Sequence, residues 1–140
     1  MENDKEIVVP YGNTPEDMKA RQEIIIGFYE GWKERNPSQM VYNRNLRENI
    51  LVRHISVIET ARHASKRYLS TLAVLQLDAI LSNARKISYE KVESRKNQQS
   101  FKAMMVMQYD CPGIGMVKLT VGVKHKSLLK VQYCITAIEA

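Results

Sequence analysis

Cysteine, histidine and long apolar runs are all scarce in this chain, and each shortage removes a class of function. Two cysteines, Cys111 and Cys134, are too few and too far apart for a zinc site built on cysteine pairs. Two reduced thiols are the expected state, with a disulfide between them the alternative. No stretch approaches the ~20 apolar residues of a membrane span; the longest candidate, Leu72 to Leu77, is interrupted by Gln76. The first residues, Met1 to Glu6, lack the basic start and apolar core of a secretion signal, so no cleaved leader is expected and the location is read as cytoplasmic. Gly113-Ile-Gly115 lacks a following glycine and lies between strands, which rules out a glycine-rich phosphate loop. No His/Asp/Glu spacing suggests a metal, and no cofactor is expected. A serine or cysteine nucleophile has no partner histidine that can be identified from spacing.

What is present is ordinary globular material. The 140 residues are 44% apolar and 26% charged, enough for one domain with a sizeable core. Charge is distributed unevenly. Residues 1–36 carry five Lys/Arg against eight Asp/Glu, whereas residues 37–140 carry sixteen against seven. A basic body behind an acidic leader points to an anionic partner, with nucleic acid foremost. The domain reading is a flexible N-terminus over 1–13, a helix over 14–36, and a basic α+β portion over 37–140.

Thr14-Pro15-Glu16-Asp17 carries the marks of a helix start: a hydroxyl cap, proline in the first turn and acids facing the dipole. Asn36-Pro37 stops that helix. Met18, Ile25, Phe28, Tyr29 and Trp32 form its buried stripe, and Gly27 and Gly31 suggest close approach to another element. Residues 40–55 read as extended, interrupted at Asn43-Arg44-Asn45. A second helix is expected over 56–69, on the spacing of Val57, Ala61, Ala64 and Tyr68. A third is expected over 70–84, then a short strand from Arg85 leading into a polar loop. Phe101, Ala103, Met105, Met107 and Tyr109 alternate with polar neighbours. So do Val117, Leu119, Val121 and Val123, and then Val131, Tyr133, Ile135 and Ala137. The expected fold class is α+β: N-terminal helices packed on a curved antiparallel sheet of three to four strands.

Four short stretches carry a resemblance: Val52-Arg-His54, Leu77-Asp-Ala-Ile-Leu-Ser-Asn-Ala-Arg-Lys-Ile87, Val117-Lys-Leu-Thr-Val-Gly-Val123 and Tyr133-Cys-Ile-Thr136. Together they resemble the third large-polyvalent-protein-associated domain of phages and conjugative elements. That domain is similar to the ribonuclease superfamily of barnase, EndoU, colicin and RelE. The likeness covers about residues 50–138 and implies helices followed by a curved antiparallel sheet. It also implies metal-independent RNA cleavage through the 2′-hydroxyl, and it admits a neutralising partner protein.

Such cleavage needs a base, an acid and a cation near the phosphate. His54 is the histidine matched by the resemblance, although strand parity places it with Ile50 and Val52. His63 lies on a polar helix face with Lys66 and Arg67, and Glu59 one turn earlier is placed to orient it. Lys118, Thr120 and Thr136 share the polar parity of the last strands, where a phosphate would be held. The catalytic candidates are thus His54, His63, Lys118 and Thr136. Arg53, Lys66, Arg67, Thr120, Lys124 and Lys126 are the nucleic-acid contacts. His125 is at most a phosphate contact. The alternatives are a non-catalytic nucleic-acid-binding module and a protein-interaction module in which the acidic first helix acts as a lid.

Overall fold

The computed structural model describes residues 8–91, 101–124 and 133–140. Helix α1 spans Pro15–Arg35. It opens as the sequence predicts: the Asp17 N–H donates to the Thr14 hydroxyl at 3.1 Å, and the Thr14 N–H and hydroxyl donate back to the Asp17 carboxylate. Its buried residues are Arg21, Ile25, Tyr29 and Trp32. Burying an apolar side chain of this size contributes ~1.5–3 kcal/mol, so this stripe anchors the helix. The Trp32 indole N–H donates to Asp78 at 2.8 Å, and Tyr29 hydrogen-bonds Gln39. Gly27 and Gly31 do not mark a close approach. A Cβ at Gly27 would meet nothing within 4 Å, and one at Gly31 only the end of the Arg35 side chain. Gly27→Ala should therefore stabilise the protein by about 0.5–1 kcal/mol through the entropy of the unfolded chain, read as a higher urea midpoint.

Strands β1 (Met40–Asn43) and β2 (Glu48–Leu51) form a hairpin around the predicted polar interruption. Helix α2 then runs His54–Ala64, starting two residues before the expected point and stopping five short. The chain breaks because Arg67 is extended, and the Thr71 hydroxyl bonds the carbonyls of Ala64 (3.1 Å) and Arg67 (3.0 Å), occupying acceptors at the helix end. The expected third helix is two short ones, α3 (Tyr68–Val74) and α4 (Leu77–Asn83), separated at Leu75-Gln76.

The sheet is wider than the expected three to four strands. Strands β3 (Arg85–Lys91), β4 (Phe101–Cys111), β5 (Gly115–Lys124) and β6 (Tyr133–Glu139) form an antiparallel meander. The β1–β2 hairpin extends it through a short parallel pairing of Ile50 with Tyr133 and Leu51 with Cys134, for the order β1-β2-β6-β5-β4-β3. Ala103, Met105 and Met107 of β4, with Val117, Leu119, Val121 and Val123 of β5, are buried on the inner face, as alternation predicts. Helices α2 and α3 lie against β6, α4 lies against β1 and β4, and α1 covers α2 and α3.

Among the described residues the sheet has three register shifts; one lies in β3 between Lys86 and Ser88, and the two in β4 and β6 break the expected parity. Between Phe101 and Ala103 the register shifts, so Phe101 stands opposite Lys124 rather than on the Ala103 stripe. Its ring covers Gly122, where a Cβ would sit 2.5 Å from it. The second bulge, on β6, puts Ala137 opposite Thr120 and Ile135 opposite Val121. Among the described residues, no helix is long and apolar enough to cross a membrane.

Candidate functional site

Helix α2 separates the two candidate histidines. His54 is its first residue, exposed, with its ring 6.0 Å from that of Tyr29. It is not on a strand with Ile50 and Val52, because α2 begins at His54 itself. His63 lies nine residues further on, about 13.5 Å along the axis and half a turn out of phase. The two imidazoles cannot act on one bond.

His63 is the one that meets cations. The bend between α2 and α3 places His63, Lys66, Arg67 and Ser70 around a cleft of about 210 Å³, whose far side is Ile138 and Glu139 at the end of β6. The Ala140 N–H donates to the Ser70 hydroxyl at 3.1 Å, holding the end of β6 against α3. Glu139 stands opposite Lys118 of β5, which stands opposite Gln108 of β4, itself opposite Arg85 of β3. The cleft therefore combines an imidazole, a carboxylate, an ammonium and a guanidinium, with Lys118 as the next residue across the sheet. Neither Ser70 nor Glu139 belongs to a motif that marks it in the sequence. Only the β6 bulge, which brings Glu139 opposite Lys118, reveals Glu139's place.

Other expected contacts do not form. Glu59 is paired with Arg62, whose Nη2 lies 3.1 Å from its carboxylate, while His63 Nε2 is 3.9 Å away and beyond hydrogen-bond reach. Glu59 therefore does not orient His63. Lys118 and Thr120 do not pair with Thr136: their partners on β6 are Glu139 and Ala137, the bulge having moved Thr120 off Thr136 and Lys118 off Ile138. Arg53 caps α2, with its guanidinium 5.4 Å from the centre of the Phe101 ring. Lys124 is the register partner of Phe101, so Arg53 and Lys124 gather near that ring, away from the end of β5 that holds Lys118. Lys126 and His125 lie outside the described residues.

Burial, and then the neighbouring Asp110 carboxylate, push the Cys111 thiol up; it is buried, free and protonated at neutral pH. The Tyr133 phenol is raised as well, by burial first and then by Glu48 and Tyr89, so it offers no ready base. The acidic lid has no support in the ion pairs: among the described residues no carboxylate of α1 is paired with the basic body. The chain matches no family model, no curated protein and no solved structure.

Proposed function

We propose that the protein binds RNA at the His63–Lys66–Arg67 cleft and cleaves it without metal, as a ribonuclease-like domain of a mobile element. The observation that carries this is the meeting of His63 and Glu139 across one cleft that also holds two cations. Glu139 would take the proton from the ribose 2′-hydroxyl, whose oxygen attacks phosphorus. The bond from phosphorus to the 5′ oxygen then breaks, and His63 protonates the leaving oxygen. Lys66 and Arg67 would balance the negative charge that grows on the phosphoryl oxygens. The products are a 2′,3′-cyclic phosphate and a 5′-hydroxyl.

One observation favours a second reading, a binding module without chemistry. The His63 side chain is 66% exposed and no carboxylate on its own helix holds it within hydrogen-bond distance. An exposed imidazole without such a hydrogen bond serves as a phosphate contact more readily than as a positioned acid. Incubating the protein with total RNA in EDTA separates the two. Cyclic-phosphate ends that disappear in His63→Ala support cleavage. Intact RNA that is nevertheless retained by the protein supports binding alone, and RNA neither cut nor retained removes both readings.

A further inference from the structure

A cleft larger than the one beside His63 lies elsewhere and takes no part in that reading. It has a volume of about 550 Å³, within the ordinary range for small-molecule sites. One wall is the β1–β2 turn, bearing Arg44; the other is the start of β3, bearing Arg85, with Gln108 and Asp110 from the end of β4.

The two walls are fastened together. Asn43 is fully buried, and its amide N–H₂ donates to the carbonyls of Leu81 (2.7 Å) and Ala84 (3.0 Å). Its amide oxygen accepts from the N–H groups of Asn45 and Leu46. The Arg44 N–H donates to Ser82, and the Asn45 side chain to Asn83 and Ala84. The guanidinium-bearing turn is thereby held against the end of α4, immediately before Arg85.

The groups facing the cleft are unspent. Among the described residues, Arg44, Arg85 and Asp110 have no ion-pair partner, and their side chains make no hydrogen bond. Ile87 and Met116 line the same cleft with more than half of each exposed, at 51% and 55%. Two guanidiniums call for an anion carrying more than one charge. Asp110 would repel a bare anion and calls for N–H donors at the opposite end. The exposed apolar pair calls for a flat, weakly polar body between them.

We propose that this cleft binds a nucleotide whose base carries an exocyclic amino group. Its phosphate sits between Arg44 and Arg85, its base lies over Ile87 and Met116, and its amino edge faces Asp110 and Gln108. The inference is independent of RNA cleavage. Arg85 and Glu139 stand at opposite ends of the four-strand row, three strand spacings or about 14 Å apart, so a mononucleotide at one cleft does not reach the other.

Calorimetric titration of the full chain with GMP, CMP, AMP and UMP, and with inorganic phosphate, tests the proposal. The amino-bearing nucleotides should bind more tightly than UMP, and inorganic phosphate most weakly. Arg44→Ala and Arg85→Ala should each lower affinity by about tenfold or more, the loss of a charge-assisted contact, with an unchanged thermal midpoint because both side chains are exposed. Asp110→Ala should remove most of the preference over UMP. A His63→Ala/Lys66→Ala/Arg67→Ala variant should bind nucleotide as the parent does, whatever becomes of its RNA cleavage. No nucleotide binding, phosphate binding as tight as nucleotide, unaltered affinity in both arginine variants, or a preference untouched by Asp110→Ala would each overturn the assignment.

Discussion

Replacing Arg21 with methionine should lower the unfolding free energy by about 3 kcal/mol and the melting midpoint by roughly 10 °C. Arg21 is fully buried in α1 and meets no carboxylate among the described residues. Its charge is balanced by carbonyls instead. Nε donates to Ser65 at 2.7 Å, and Nη1 donates to Pro10 at 2.9 Å and Gly12 at 2.7 Å. Ser65 is the C-cap of α2, where unpaired carbonyls and the helix dipole concentrate negative potential. Methionine keeps the length and the packing but leaves these oxygens without a donor, and the Ser65 contact is buried. One term works the other way: Nη2 is buried without a partner, so the guanidinium is already incompletely satisfied. The three bonds outweigh it, since hydrogen bonds to a charged group are worth ~1.5–3 kcal/mol each. Arg21 also ties down residues 10–12, and Tyr11 stacks on Tyr68 with ring centres 4.4 Å apart. Cleavage by protease ahead of Pro15 should therefore speed up in the variant. An unchanged midpoint would show that the carbonyl contacts contribute nothing net.

Arg21 also shows where reading residues fails. It shares the stripe of Ile25, Tyr29 and Trp32 at helical spacing, so its position was legible. Residue type argued against burial, and only the carbonyls of a distant helix end reverse that argument. The α1 cap and the alternation of β4 and β5 were legible because their signals are local: a hydroxyl three residues from a carboxylate, and apolar residues at every second position. The start of α2 was not, because Arg53 caps it without any side-chain hydrogen bond, leaving no start signal between Val52 and His54. His54 consequently read as a strand residue. The break between α2 and α3 contains neither glycine nor proline; it depends on the Thr71 hydroxyl reaching back seven residues to Ala64. The β6 bulge likewise has no marker in composition, and it decides that Lys118 faces Glu139 and not Ile138, and that Thr120 faces Ala137 and not Thr136. Cationic residues of the candidate site were legible as helix-face neighbours, His63 with Lys66 and Arg67. The carboxylate opposite them was not, since it arrives from the far end of the chain.

The second large effect concerns these cations. Each phosphate neutralised on a single strand contributes about 0.7 to the slope of log affinity against log salt. Lys66→Ala/Arg67→Ala removes two cations from exposed positions, so little change in folding stability is expected. Affinity for a short 2′-O-methyl RNA, which lacks the nucleophile, should fall by at least about tenfold at low salt, and the slope should shrink by about 1.4. Arg44→Ala/Arg85→Ala, altered at the other cleft, serves as a charge-matched control for nonspecific attraction by a basic protein.

The salt titration of that RNA against parent and Lys66→Ala/Arg67→Ala protein is thus the most direct test of where RNA sits. A steep dependence is expected for the parent, flattening by about two phosphate contacts in the variant. Parallel lines with equal affinity would place any bound RNA away from the α2–α3 bend, and the proposed site would be wrong.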